Sequence, residues 1–322
     1  MTLVRSQPEA QRGGALIGRL RRIEFTLLDA VQFFFLAALI VLQLVFRQQI
    51  PQSQWLLPLY LGSLALLAGT VLTARGSSRP AVRLLDDLIV PIIVLLVVFE
   101  TLGYSIPALN TNWLEPALVR ADQWIFGKTG SEYLERFYSR PLLDLMHVFY
   151  VSFYFVPLSL LMVMYRRGNR AELQHTVAAI GLTFYADFFL YYVFPVLGPY
   201  RNAQIHFTRD IVASGGALTH ILRSFLDHAE IATYDSFPSG HLAATLITIM
   251  LAFRYRLKLR GVYVFLGVMI VISTIYLRYH YVMDLPAGAV VAVVIYWIAP
   301  RAARVVVFSG ETRQWFQYRR GT

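Results

Sequence analysis

Eight apolar runs divide this chain, at about residues 27–46, 55–74, 85–106, 142–165, 174–197, 241–256, 260–279 and 283–305. An α-helix rises about 1.5 Å per residue and a bilayer's hydrocarbon core is about 30 Å thick, so roughly 20 apolar residues make one span. Runs of this length predict an all-α fold, a polytopic membrane bundle of about eight helices. Composition agrees, because 57% of the 322 residues are hydrophobic and only 15% charged, where a soluble domain carries about 25% charge. The sixth run is short and starts from a loop, so its helix is expected to begin below the membrane surface. Residues 1–26 are polar and carry Arg5, Arg12, Arg19, Arg21 and Arg22. The apolar run after them lacks a small-residue cleavage pattern and reads as the first span, not a leader.

The net charge of +10 would suit nucleic acid if it were clustered on one face. It is instead partitioned by the spans. With the N-terminus in the cytoplasm, 20 of the 29 Lys and Arg residues fall in cytoplasmic segments and nine on the other side. Every cytoplasmic segment is basic, which predicts both termini inside. The excess therefore reads as a topology signal and as membrane-surface contact, and no nucleic-acid partner is expected. Cysteine is absent, which removes disulfide and thiolate chemistry.

Two outer segments are too long for simple turns, at residues 107–141 and 198–239. In the first, stretches around Trp113–Phe126 and Ser131–Tyr138 are amphipathic. Leu114, Leu118 and Ile125 sort to one face, opposite Arg120, Asp122 and Lys128, as in helices lying in the interface.

Three pieces carry chemistry, and all fall on the outer side. Phe237-Pro238-Ser239-Gly240-His241 ends a loop and opens a helix. Free N–H groups there attract an anion, glycine permits close approach, Ser239 adds a hydroxyl donor, and His241 can exchange a proton. In Ser273–Asp284, His280 and Asp284 are four residues apart and share one helical face. A carboxylate bonded to one imidazole nitrogen leaves the other nucleophilic. Phe194–Arg201 closes the fifth span and sets Tyr200 and Arg201 just outside it. A guanidinium holds phosphate oxygens in a fixed fork.

Ser239-Gly240-His241 after proline, followed by Tyr276-x-x-x-His280-Tyr281-x-x-Asp284, resembles the type-2 phosphatidic acid phosphatase (PAP2) superfamily. The branch it looks most like is the aureobasidin-sensitive inositol phosphorylceramide synthases. The cues are Ser273-Thr274-x-Tyr276-Leu277-x-x-His280-Tyr281-x-x-Asp284-Leu285, the Phe194-Pro195-x-x-x-Pro199 stretch, Asp122–Gly127 and His147–Ser152. The likeness covers about residues 110–295. It implies His280 as a nucleophile that becomes a phosphohistidine, Asp284 as its orienting carboxylate and His241 as the acid for the leaving oxygen. It further implies that Ser239, the Gly240 amide and Arg201 hold the phosphoryl oxygens, with Arg278 and Tyr200 beside them. No metal or cofactor is implied. The division expected is a tail over 1–26, two peripheral helices over 27–80, a PAP2-like catalytic domain with a six-helix core over 81–306, and a tail over 307–322.

The chain departs from the phosphatase pattern twice. Thr274 stands where those enzymes carry an arginine, and no lysine accompanies Arg201. Arg278 offsets part of that loss. Two cations suit a singly charged diester better than a doubly charged monoester, which points to group transfer from a phospholipid to a lipid hydroxyl. A lipid phosphate phosphatase acting on phosphatidate or a polyprenyl phosphate is the alternative. The partners expected are membrane lipids, with the active site on the extracytoplasmic or lumenal side; head group, acceptor and oligomeric state stay open. A metal hydrolase using His241, His280 and Asp284 lacks a supporting signature. A transporter built on Asp187 with Tyr185, Tyr191 and Tyr192 competes with an ordinary interhelical hydrogen bond. Asp86 and Asp87 are expected at the interface, and His147 and His175 in helix packing.

Overall fold

The computed structural model describes residues 22–50, 52–74, 77, 79–110, 114–229, 234–302 and 306–309. The two tails lie largely outside these, as does Trp113. Helices occur at all eight expected positions. They are α1 (Leu27–Val45), α2 (Ser53–Thr73), α3 (Pro80–Leu84) running through a π turn (Leu85–Ile89) into α4 (Val90–Leu109), then α7 (Arg140–Arg167), α8 (Arg170–Val193), α11 (Gly240–Arg254), α12 (Arg260–Tyr276) and α13 (Asp284–Ala302). Short helices α5 (Glu115–Phe126), α6 (Gly130–Leu134), α9 (Ile211–Ser214) and α10 (Ala217–Ala229) fill the two long outer segments. By length and composition, α1, α2, α7, α8 and α13 can each cross a membrane, while α11 and α12 are apolar but shorter. The chain is an all-α polytopic membrane bundle.

Local chemistry sets the helix ends. Thr26 and Asp29 cap α1 reciprocally, each side chain bonding the other's backbone N–H. Gly127 and Gly168 close α5 and α7 at φ +75°, a left-handed conformation that costs glycine least. The central helix is α8, packed against α1, α4, α7, α11 and α13. Its buried face carries Thr176, Ala178, Ala179, Gly181 and Thr183, small residues that let membrane helices approach closely. Phe34, Phe155, Val290 and Trp297 point outward. Such exposure suits lipid and would be unfavourable in water.

Three expectations are corrected. Asp86 and Asp87 are buried in the π turn, where Arg170 grips Asp87 with Nε at 2.8 Å and Nη2 at 3.0 Å. In α5, Asp122 is fully buried and Ile125 is exposed, the reverse of the simple amphipathic sorting. A short ribbon, absent from the expected all-helical chain, pairs β1 (Arg22–Phe25) antiparallel with β2 (Val306–Ser309). It ties the start of α1 to the end of α13. The opposite end of α13 begins at Asp284, so the motif-bearing turns gather at the end of the bundle away from both chain ends.

Candidate active site

The turn between α12 and α13 is built before it is chemically useful. Arg278 takes φ +68°, a left-handed conformation that is uncommon outside glycine. It is held there by its side chain. Nη2 donates to Glu135 Oε1 at 3.0 Å and to the Arg209 carbonyl at 2.7 Å, Nε donates to Tyr138 Oη at 3.0 Å, and the guanidinium lies 3.7 Å from the Phe207 ring centroid. The reversal turns Tyr279 and His280 toward α11. Farther along, Asp122 accepts from the N–H groups of Val282 and Met283, both at 3.1 Å, and of Gly130 at 3.2 Å. The outer segment 115–138 thus clamps both sides of His280. Gly198 completes the packing, since a Cβ there would overlap the Tyr279 carbonyl, while Tyr200 N donates to the Arg278 carbonyl at 2.8 Å.

His280 and His241 meet directly. His280 Nδ1 is 2.8 Å from the Ser236 carbonyl and 3.3 Å from Asp284 Oδ2. Both oxygens are acceptors, so Nδ1 carries the hydrogen and Nε2 of the neutral ring carries the lone pair. That Nε2 stands 3.0 Å from His241 Nδ1, which must then be the donor. Asp284 Oδ2 also accepts from Ser236 Oγ at 2.7 Å and from Tyr281 N at 2.8 Å. The carboxylate orients the site more through Ser236 and the backbone than through the imidazole alone. His241 is wedged against Tyr150 and Phe153, with ring centroids 4.8 and 4.3 Å away.

The two imidazoles open onto a cleft that is also lined by Gly198, Tyr200, Arg201, Arg223, Asp227 and Asp235. Arg201 is exposed at its mouth. Arg278 borders the cleft, but its guanidinium is committed to Glu135 on the other side. A second guanidinium comes from Arg223 on α10. It donates to Tyr279 Oη at 2.9 Å and to Asp227 Oδ1 at 3.0 Å, and lies over the Tyr200 ring at 4.3 Å. Ser239 is buried and caps α11, accepting from Leu242 N at 3.3 Å. Gly240 packs so closely on Tyr191 that a Cβ there would overlap its hydroxyl, and neither Ser239 nor Gly240 lines the cleft, so these two residues shape the helix start.

Sequence reading passed over Ser236, Glu135, Arg223 and Asp235, and took Asp122 for a surface residue. Ser236 and Asp235 adjoin the Pro238–His241 motif, and that nearness was the available signal. Glu135 sits 143 residues from Arg278 and Arg223 sits 56 residues from Tyr279, and neither long-range contact leaves a local pattern. Asp187 is fully buried on α8 behind Gly240, and neither carboxyl oxygen has a hydrogen-bond partner among the described residues. The ordinary interhelical hydrogen bond expected for it is not formed. Among the described residues no group of His, Asp and Glu is arranged to hold a metal ion.

A family profile described as the PAP2 superfamily matches residues 116–298, more than half of the chain. The chain belongs to the PAP2 superfamily. The PAP2 match runs from α5 almost to the end of α13 and leaves α1–α4 outside it. A PA-phosphatase related-family protein of Dictyostelium discoideum is 27% identical over 113 residues, which are 34% of this chain and 20% of that protein. The chain thus matches about a fifth of that relative's length. No solved structure matches the chain.

Proposed function

We propose that this protein is an integral membrane phosphotransferase that moves a phospho-head group from a phospholipid to a lipid hydroxyl through a phosphohistidine at His280. One observation carries the reading. The Nε2 lone pair of His280 faces the Nδ1–H of His241 across 3.0 Å, which sets a nucleophile and an acid on the same reacting centre. No phosphorus fits between nitrogens at that separation, so substrate must part them as it enters. The phosphorus then bonds to Nε2 as its bond to the departing oxygen breaks, and His241, an imidazolium beside the anionic phosphate, passes its Nδ1 proton to that oxygen and keeps the hydrogen on Nε2. Asp284, Ser236 and the Ser236 carbonyl stabilise the imidazolium that forms. Arg201 and Arg223 meet the phosphoryl oxygens.

Charge supports a diester donor. Arg278 is neutralised by Glu135, and Arg223 is shared with Asp227. The cleft therefore offers little net positive charge, too little to favour a dianionic monoester. Resemblance to the inositol phosphorylceramide synthases in Ser273–Leu285 and Asp122–Gly127 supports the same class. A phosphatase is the second reading, favoured by the likeness to the PA-phosphatase related-family protein of Dictyostelium discoideum. Purified protein should be incubated with head-group-labelled phospholipids, with and without a hydroxyl lipid. A labelled transfer product supports the proposal; hydrolysis of phosphatidate that acceptor lipid never diverts supports the phosphatase.

The orientation proposed has both termini in the cytoplasm and the cleft on the extracytoplasmic side, from the 20-to-9 partition of Lys and Arg. The chain has no cysteine, so single cysteines placed at Thr322 and at Ala213 can be labelled without background. Opposite sidedness is expected, and labelling from one side would overturn the orientation.

A further inference from the structure

A transfer cycle needs a route for protons, and His241 is poorly placed to supply one alone. Its ring is packed against Tyr150 and Phe153, and its Nε2 is buried without a hydrogen-bond partner. Its Nδ1 is directed at His280. A proton lost from His241 can return only through that Nδ1 edge, which opens to the cleft. Two carboxylates line the cleft among the described residues, Asp227 and Asp235. Asp227 is half exposed and accepts from Arg223.

Asp235 is held differently. Tyr234–Ser236 runs extended beside Val196, with a bridge between Val196 and Asp235 and a 3.2 Å bond from Ser236 N to the Val196 carbonyl. Successive side chains in an extended segment point to opposite sides. Ser236 turns its hydroxyl to Asp284, so Asp235 turns the other way, into the cleft beside both histidines. The groups that face it are His280 from the turn, His241 and Tyr191 from α11 and α8, Arg201, and Arg223 with Asp227 from α10.

We infer that Asp235 is the base that takes the proton from the incoming hydroxyl and returns it to His241. The inference rests on the phosphohistidine reading above. In the second half of the cycle the hydroxyl oxygen bonds to phosphorus as the bond from phosphorus to His280 Nε2 breaks, its electron pair returning to the imidazole. The hydroxyl proton passes to the Asp235 carboxylate and then to His241 Nδ1, which restores the acid for the next donor. Burial lifts this carboxyl to about 6, with His280 and Arg201 pulling it partly back. A base of that strength is ionised at neutral pH and still returns its proton readily.

The test uses the full-length protein in detergent with a p-nitrophenyl phosphodiester. Nitrophenolate leaves without needing a proton, so phosphoenzyme formation is separated from its breakdown. Asp235→Asn should keep the initial nitrophenolate burst, accumulate acid-labile phosphoprotein and slow steady-state turnover by about 10²–10⁴-fold. The rise of wild-type turnover through about pH 6 should vanish in Asp235→Asn. Azide has no proton to surrender and should restore turnover in that variant, and Asp235→Glu should keep part of the activity and the pH limb. Wild-type turnover and pH dependence in Asp235→Asn would overturn the inference, as would loss of the burst together with failure of azide rescue. A wild-type protein with neither burst nor acid-labile label would instead sink the phosphohistidine reading beneath it.

Discussion

His241 donates from Nδ1 to His280 Nε2 at 3.0 Å, while His280 is tied from its other nitrogen to the Ser236 carbonyl at 2.8 Å. This relay orders the two rings and assigns them different work. His280→Ala should abolish turnover and all acid-labile labelling. His241→Ala should slow phosphoenzyme formation from natural donors by about 10²–10⁴-fold and be largely rescued by a nitrophenyl leaving group. Persistent labelling of the His280→Ala protein would reassign the nucleophile.

Asp122 holds three backbone N–H groups from two segments, and its carboxylate is fully buried. Removing it leaves those donors without an acceptor, at about 1–3 kcal/mol each. Asp122→Ala should lower thermal stability and reduce kcat by loosening the turn between His280 and Asp284. Asp122→Asn keeps one acceptor oxygen and should be milder in both respects. Equal activity of the two variants would show that this clamp does not serve the histidine.

Glu135 pairs with Arg278, whose side chain is buried to 3% exposure. Glu135→Gln leaves that charge without its partner and should destabilise the protein by about 3–5 kcal/mol, measured by thermal unfolding in detergent. Burial pushes the Glu135 carboxyl up, but N–H groups of Arg209 and Thr208 and the Arg278 charge outweigh it and hold it below its ordinary value. Its contribution is therefore complete above the unfolded value of about 4.3 and is lost as pH falls through the lower folded value. Wild-type stability should fall on acidification below about pH 4, and Glu135→Gln should flatten that limb.

Arg223 reaches the cleft from α10 and is buried, whereas Arg201 is exposed at the mouth. A charge-assisted hydrogen bond is worth about 1.5–3 kcal/mol, so Arg223→Gln should lower kcat/KM by about 10–10²-fold. Arg201→Gln should cost less, because solvent screens it. Arg223→Lys should not recover the loss, since an ammonium cannot bond Tyr279 and Asp227 and still present a fork to phosphate. A larger effect at Arg201 would shift the phosphate site outward.

Sequence alone determined the class of fold and the pair of histidines. Spans are legible because lipid demands an uninterrupted apolar run, and such runs need no tertiary context to be counted. His280 and Asp284 were expected on one helical face, which the structure corrects, since the helix breaks at Arg278 and His280 lies in the turn before Asp284 opens α13. The pair is still joined by a contact of 3.3 Å, and His241 is legible because it follows a helix-opening Pro-Ser-Gly. What only the tertiary structure decided is how those groups are held and charged. Arg278 looked like a cation for phosphate until Glu135, 143 residues away, was seen to take it. Asp122 looked like the polar face of a surface helix until it was found capping the backbone of Val282, 160 residues away. Arg223 and Asp235 gained meaning only when α10 and the Tyr234–Ser236 segment closed the cleft around them. Contacts across such distances depend on how helices pack and turns reverse, and no local periodicity in the chain encodes them.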